Sequence, residues 1–305
     1  MSSRRIVDLR HGRTSRRETP RRPAQREGAR RSPLRERRRK VRAIVLFALV
    51  VISGALAWGT HALSYSEYFS FQKISVKGAE RTPTSEIIAY VNSIMDDGKF
   101  HFISRRNTIY YPKVAIETAL ATNFPRIAAA ELVQDKPFGS DLVIRVLERV
   151  PFSKWCTAPT LDSTAQCFWM DKHGYIFAHA EEGERGTHEH VFEGGVARVT
   201  QPIGQTFAPA HVEGIMAMLG HLADADFKPT GASIEGEHDL HVRLADGFYI
   251  KASYGQDAAQ IARNLELVLT SESMRGKEES LEYVDLRFGN RVYYKFRGAE
   301  ESGVY

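Results

Sequence analysis

The amino-acid sequence predicts an α+β protein: an N-terminal transmembrane helix, a β-α-α-β-β unit, and a mixed β domain with two helices. Three observations predict it. The stretch from Ala43 to Leu63 runs 21 residues without Lys, Arg, Asp or Glu. Beyond it, four segments carry apolar residues at helical spacing, and the segments between them alternate at period two. Asp246-Gly247 and Gly289-Asn290 sit between alternating runs, where tight hairpins place residues that tolerate positive φ. At 305 residues, 43% of them hydrophobic and 26% charged, the chain is long enough for two small domains after the helix.

Residues 1–42 hold sixteen Arg and one Lys against Asp8, Glu18, Glu27 and Glu36, a net of +13, so a whole chain of +5 leaves −8 for residues 43–305. This composition predicts a disordered cytoplasmic arm, and Pro20, Pro23 and Pro33 with Gly12 and Gly28 oppose helix within it. Its expected partner is anionic lipid at the cytoplasmic leaflet, at ~1 kcal/mol per basic residue near the surface. No nucleic acid partner is expected. The apolar stretch 43–63, at about 1.5 Å rise per residue, matches a hydrocarbon core of ~30 Å. A cleaved signal peptide would have a shorter apolar region nearer the N-terminus, and "GTHALSYSEYF" offers no small-x-small cleavage site. The basic block "RERRRKVR" just before the helix predicts an N-terminus in the cytoplasm and a C-terminal bulk outside.

Residues 64–70 read as a connector. In residues 71–149, Phe71, Ile74 and Val76 alternate in a strand that ends at Gly78. "RTPTSEIIAYVNSI" then predicts a helix with Thr82 or Thr84 as cap and Ile87, Ile88, Val91 and Ile94 as its buried stripe. A second helix starts near Pro112, buries Val114, Ile116, Ala119 and Leu120, and stops before Pro125. Strands are expected over Ile127 to Gln134 and Leu142 to Leu147.

Residues 150–297 form the mixed β domain. Short strands are expected at Pro151 to Trp155, Cys167 to Asp171 and Tyr175 to His179. "AHVEGIMAMLGHLA" places Val212, Ile215, Met216, Leu219 and Leu222 on one helical stripe, and "QDAAQIARNLELVL" does so for Ile261, Leu265 and Val268. "LHVRLADGFYIKA" is a hairpin. In "LEYVDLRFGNRVYYKF", Tyr283, Asp285 and Arg287 point one way and Val284 and Leu286 the other; after the turn, Val292, Tyr294 and Phe296 share a face. Residues 298–305 are a polar tail. The chain's only cysteines, Cys156 and Cys167, are spaced wrongly for a C-x-x-C redox pair, and two thiols alone make a poor metal site. A disulfide across the loop is expected if the compartment is oxidising.

The order of parts resembles the FtsQ/DivIB family of bacterial cell division proteins. "ISVKGAERTPTSEI", "VLERVPFSKW", "WMDKHGYIF" and "YVDLRFGNRVYYK", in this order, carry the resemblance, which runs from the basic arm to Phe296. The segment between Trp155 and Trp169 is longer than the family's usual turn. The resemblance implies a POTRA domain over 71–149, two helices on a three-stranded sheet, and a non-enzymatic scaffold with no cofactor, no metal and no small-molecule substrate. It also implies a single-pass protein of the inner membrane at the division septum. FtsB/FtsL-type partners would be recruited through the last strand, here Arg291, Val292, Tyr293, Tyr294, Lys295 and Phe296 with Phe288 before the turn, and FtsW/FtsI-type septal synthases are further partners. Strand addition is the expected mode. The competing reading is a plain sheet margin blunted by Arg291 and Lys295.

Catalytic readings are weaker. "SFQK", Ser70 to Lys73, matches S-x-x-K, but that motif needs a helix start and S-D-N and K-T-G companions, which do not occur. "HEH", His188 to His190, lacks the H-E-x-x-H spacing of a zinc site and lies in a charged loop. A POTRA-bearing component of a transport or secretion system is the alternative; it would carry repeated units or a membrane barrel.

Overall fold

The computed structural model describes residues 33–96, 98, 101–158, 165–180, 185–236, 239–289 and 291–298. The chain divides into two units, one ending at Gly59 and one beginning at Thr60. Most of the basic arm and most of the tail lie outside the described residues. Helix α1 (Pro33–Ser64), which starts in the first unit and ends in the second, carries a stretch long and apolar enough to cross a membrane, and none of that stretch is buried within the protein. The helix takes in residues 33–42, which were expected in the disordered arm. Pro33 opens it: at the first helical position a proline gives up an N–H that has no partner there anyway, and its fixed φ already suits the helix.

In the second unit, a 3₁₀ turn (Glu67–Phe69) leads to β1 (Lys73–Lys77), followed by α2 (Thr84–Met95), α3 (Lys113–Asn123), β2 (Ile127–Gln134) and β3 (Asp141–Glu148). The three strands form a sheet in the order β1-β3-β2. β1 runs parallel to β3, and β2 antiparallel to it. Ile87, Val91 and Met95 from α2 and Ile116 and Leu120 from α3 bury against Leu132, Leu142 and Ile144 of the sheet. Phe71 joins this core from just before β1 rather than from within it. Ile88 and Ile94 are only half buried. Val114 is 73% exposed, which corrects its expected burial: two positions before Ile116 is about 200° round the helix, the opposite face.

Helix α2 has no side-chain cap of its own; Pro83 stands at the N-cap. The carboxylate of Glu148 at the end of β3 supplies acceptors from across the sheet, taking the N–H of Thr82 at 2.8 Å and of Arg81 at 3.0 Å. Burial opposes ionisation of Glu148, but the hydrogen bonds from Thr82 and Arg81 outweigh it and hold the group below its ordinary 4.5. Because the folded value lies below the unfolded one, Glu148 contributes stability above about pH 4.5 and loses it as pH falls through the depressed folded value. Glu148→Ala should cost about 1 kcal/mol, as loss of a cap does. Urea unfolding should show that difference in full at pH 7 and a smaller one as the pH is lowered through the folded value.

The large sheet follows. Its elements are β4 (Ser153–Cys156), β5 (Cys167–Met170), β6 (Ile176–His179), β7 (Val191–Glu193), α4 (Val212–Asp224), β8 (Pro229–Glu235), β9 (Asp239–Leu244), β10 (Tyr249–Ser253), α5 (Ala258–Leu269), a 3₁₀ turn (Glu278–Ser280), β11 (Leu281–Phe288) and β12 (Arg291–Phe296). They pair in the order β12-β11-β10-β9-β8-β7-β4-β5-β6. The pairings β4–β7, β7–β8 and β10–β11 are parallel. Strands β7 and β8 were not expected from the sequence. Helices α4 and α5 bury Val212, Ile215, Met218, Leu219 and Leu222 and Ile261, Ala262 and Leu265 against Val242, Ile250 and Val284. Met218, not Met216, completes the α4 stripe, since it lies one turn from both Ile215 and Leu222. Val268 is only partly covered.

Cys156 and Cys167 face each other across β4 and β5 and are joined in a disulfide. Replacing both with Ser should lower stability by about 3 kcal/mol in the chain-entropy account of so short a loop. The midpoint of denaturant unfolding reads this. The two strands sit at the far end of the sheet from β12, so the double variant should keep whatever β12 binds.

Arg149 joins the two sheets. Its N–H and Nε donate to the carbonyls of Arg126 at 2.8 Å and Pro125 at 3.0 Å, on the small-sheet side. Its Nη1 pairs with the buried Asp171, and the guanidinium lies 4.0 Å from the ring centroid of Tyr175, on the large-sheet side.

Candidate functional site: an open sheet edge

Among the described residues, strand β12 ends the large sheet and has β11 as its only neighbour. Gly289, at φ +65°, makes the turn that reverses the chain; Asn290 is outside the described residues. The pairs Leu281↔Phe296, Tyr283↔Lys295, Asp285↔Tyr293 and Phe288↔Arg291 show two irregularities. In both, the extra residue is on β11, so β12 itself alternates without interruption. The N–H of Arg297 donates inward to the carbonyl of Ser280 at 2.8 Å. Main-chain groups alternate sides along a strand, which turns those of Arg291, Tyr293 and Lys295 toward β11. Those of Val292, Tyr294 and Phe296 therefore face the open edge. The opposite side of β11 agrees: the carbonyl of Leu286 accepts from Nε2 of Gln256, beyond β10.

Side chains alternate across the two faces. Val292 and Phe296 pack on the core, and the Tyr294 ring meets Phe296 edge-on at 5.4 Å. On the other face the Tyr293 ring meets Phe288 edge-on at 5.3 Å, and Lys295 pairs with Glu282 at 3.0 Å. All seven residues expected at the site thus lie together on β12 and the end of β11. Phe288, Tyr293 and Tyr294 keep 55%, 40% and 44% of their surface exposed. Below the edge, Arg287 holds the hairpin to the sheet. It binds Asp285 through Nε at 2.9 Å and Nη2 at 2.6 Å, and Asp239 through Nη1 at 2.7 Å. These bonds, Asp285 first, raise its pKa further above the ordinary value.

Sequence reasoning missed the groove beside the strand. Asn264, Leu267 and Val268 of α5, with Ser271 and Met274 after it, face Val292 and Tyr294 across a cavity of about 320 Å³. Leu267, 69% exposed on a helix whose other apolar residues turn inward, was the signal available in the sequence. The arrangement offers main-chain donors and acceptors along a strand, with a groove of mixed polar and apolar lining for a side chain.

The other motifs assemble nothing comparable. Ser70 is in an extended bridge with Asn107, and its hydroxyl donates to the carbonyl of Ser66. His188 and His190 stack at 5.6 Å, and burial, then the neighbouring His188, pushes the pKa of His190 down. Among the described residues no three His, Cys, Asp or Glu are placed to hold a metal ion. No family model matches the chain, and no curated protein is similar to it.

Proposed function

We propose that this protein is a scaffold of the bacterial division complex of the FtsQ/DivIB kind, anchored in the inner membrane by α1 and recruiting FtsB/FtsL-like partners by strand addition at β12. The observation that carries this reading is the edge itself: Val292, Tyr294 and Phe296 present main-chain groups that have no partner among the described residues, in register beside a groove of mixed polar and apolar lining. An edge of this kind is a hazard unless it is blunted or used. Arg291 and Lys295 are its only charges, and Lys295 is held back by Glu282. Exposed aromatic residues beside free main-chain groups are what strand addition uses.

Two further features support the reading. The β-α-α-β-β unit with its two helices and three-stranded sheet resembles the layout of a POTRA domain. The basic residues that open α1 favour a cytoplasmic N-terminus, with both sheets outside and the septum as the place of work. Capture of the detergent-solubilised protein from its own cells, with partners identified by mass spectrometry, tests the reading. Division proteins are expected, and recovery of secretion components in their place would replace it with a transport role. A reporter fused at the C-terminus should be active only when exported.

A further inference from the structure

Residues 101–115 are bound to the chain where it leaves the apolar stretch. The carbonyl of Phe102 lies 2.9 Å from Nδ1 of His61, and the hydroxyl of Tyr65 donates to the carbonyl of His101 at 2.9 Å. The N–H of Ser104 donates to Oγ of Ser64 at 2.7 Å, and Nδ2 of Asn107 donates to the carbonyl of Ser64 at 3.2 Å. Ser64, Ser104 and Asn107 are all buried, and mutually satisfied buried polar groups of this kind fix geometry. His61 precedes Leu63, the last residue of the apolar stretch, and belongs to the same unit as the loop. Phe102 is therefore held at the level of the stretch's end, not at a distance from it.

That level has its own chemistry. The headgroup zone adds only about 5–7 Å to each side of the hydrocarbon core, and aromatic rings favour it. The loop's outer surface suits it: Phe102 is 56% exposed, Ile109 59%, Tyr110 70% and, on the adjoining first turn of α3, Val114 73%. Tyr110 and Val114 line one open surface together with Ile103, and an exposed apolar patch calls for a covering. From Gly98 to Ile116 the sequence has no acid and four basic residues, Lys99, Arg105, Arg106 and Lys113, which favours anionic lipid over water. Arg106 is turned inward onto Asn92 and the carbonyl of Phe71.

We propose that this loop enters the phospholipid headgroup layer of the leaflet from which α1 emerges, through Phe102, Ile109, Tyr110 and Val114, and so seats the three-stranded sheet on the lipid surface. The inference rests on α1 spanning the bilayer. Its test uses the full-length protein in nanodiscs of phosphatidylethanolamine and phosphatidylglycerol, with nitroxide labels on Phe102→Cys, Tyr110→Cys and Val114→Cys. The disulfide-bonded Cys156 and Cys167 do not take the label. Leu49→Cys marks the bilayer and the exposed Val199→Cys marks water. Collision rates with oxygen, which concentrates in lipid, and with a nickel chelate, which stays in water, give each label's surroundings. Unchanged trypsin resistance confirms that each variant folds. The expected oxygen-to-nickel ratio at positions 102 and 110 lies between the two markers and several-fold above that at 199. A ratio equal to that at 199 overturns the proposal while leaving the span intact. Low collision with both reagents overturns it too, by showing a protein covering. A water-like ratio at 49 removes the span and the proposal together.

Discussion

Val292→Pro should leave the protein folded and abolish capture of a strand-donating partner, whereas Tyr293→Pro should open the C-terminal hairpin. Proline removes an N–H and fixes φ, so its effect depends on which side of the strand loses the donor. The inward bond of Arg297 to Ser280 sets that side for every residue of β12. Val292 gives up a donor that has no partner among the described residues. Tyr293 gives up one that faces Asp285 of β11 and leaves a carbonyl there unsatisfied, a loss of about 1–3 kcal/mol before any steric strain. Because Val292 also packs on the core, Tyr294→Pro, with the same outward parity and an exposed ring, is the companion variant. Circular dichroism melting separates folded from opened variants, and immobilised partner domains read capture. Wild-type capture by both outward variants would falsify docking at this edge. Tyr294→Ala, which spares the main chain, should weaken capture by ~2 kcal/mol if the ring is an anchor, about 30-fold in Kd.

Gly231→Ala should be the most damaging single methyl group in the protein. A Cβ at Gly231 would lie 1.9 Å from the carbonyl oxygen of Val191, main chain against main chain, where no side chain can swing aside. The contact falls on the β7–β8 pairing, three residues long and, among the described residues, the only ladder between the large-sheet strands before α4 and those after it. Arg243 reinforces the same seam, with Nη2 on the carbonyl of Val191 at 2.8 Å and Nη1 on Glu193 at 2.7 Å. Forcing the strands apart combines steric strain with loss of buried hydrogen bonds, placing the cost in the range above ~4 kcal/mol that is uncommon for a single substitution. Limited proteolysis and chemical denaturation should show β4 to β7 losing protection first. Full stability in this variant would mean that β7 and β8 do not pair as described.

That same glycine shows why part of the sheet was illegible in the sequence. Strands β2, β3, β9, β10 and β11 announce themselves by alternation, and α2, α4 and α5 by their stripes. β8 begins Pro-Thr-Gly, which reads as a turn, because Gly231 is there to admit a neighbouring backbone rather than to fill a pleat. β7 has three residues, too few for any period. The parallel pairings join segments far apart in the chain and leave no local mark. At the site, β12 was readable as an amphipathic strand following the Gly289-Asn290 turn. The groove was not, since it exists only where α5 crosses beside β12. Val114 and Pro33 failed for a simpler reason: residue type was read without its angular position or its place in the first turn.

Arg149 turns distance into a property of the protein. Only four residues separate β3 from β4, and with Arg149 fastened to Pro125 and Arg126 on one side and to Asp171 and Tyr175 on the other, the short connection cannot serve as a hinge. Ser64 and β12 become the two ends of one stiff spacer. For a partner whose strand rides on a helical stalk, one added turn shifts that strand by ~5.4 Å. Under the proposed scaffold role, a spacer that resists bending fixes how far beyond the end of α1 a partner's strand must reach to pair with β12.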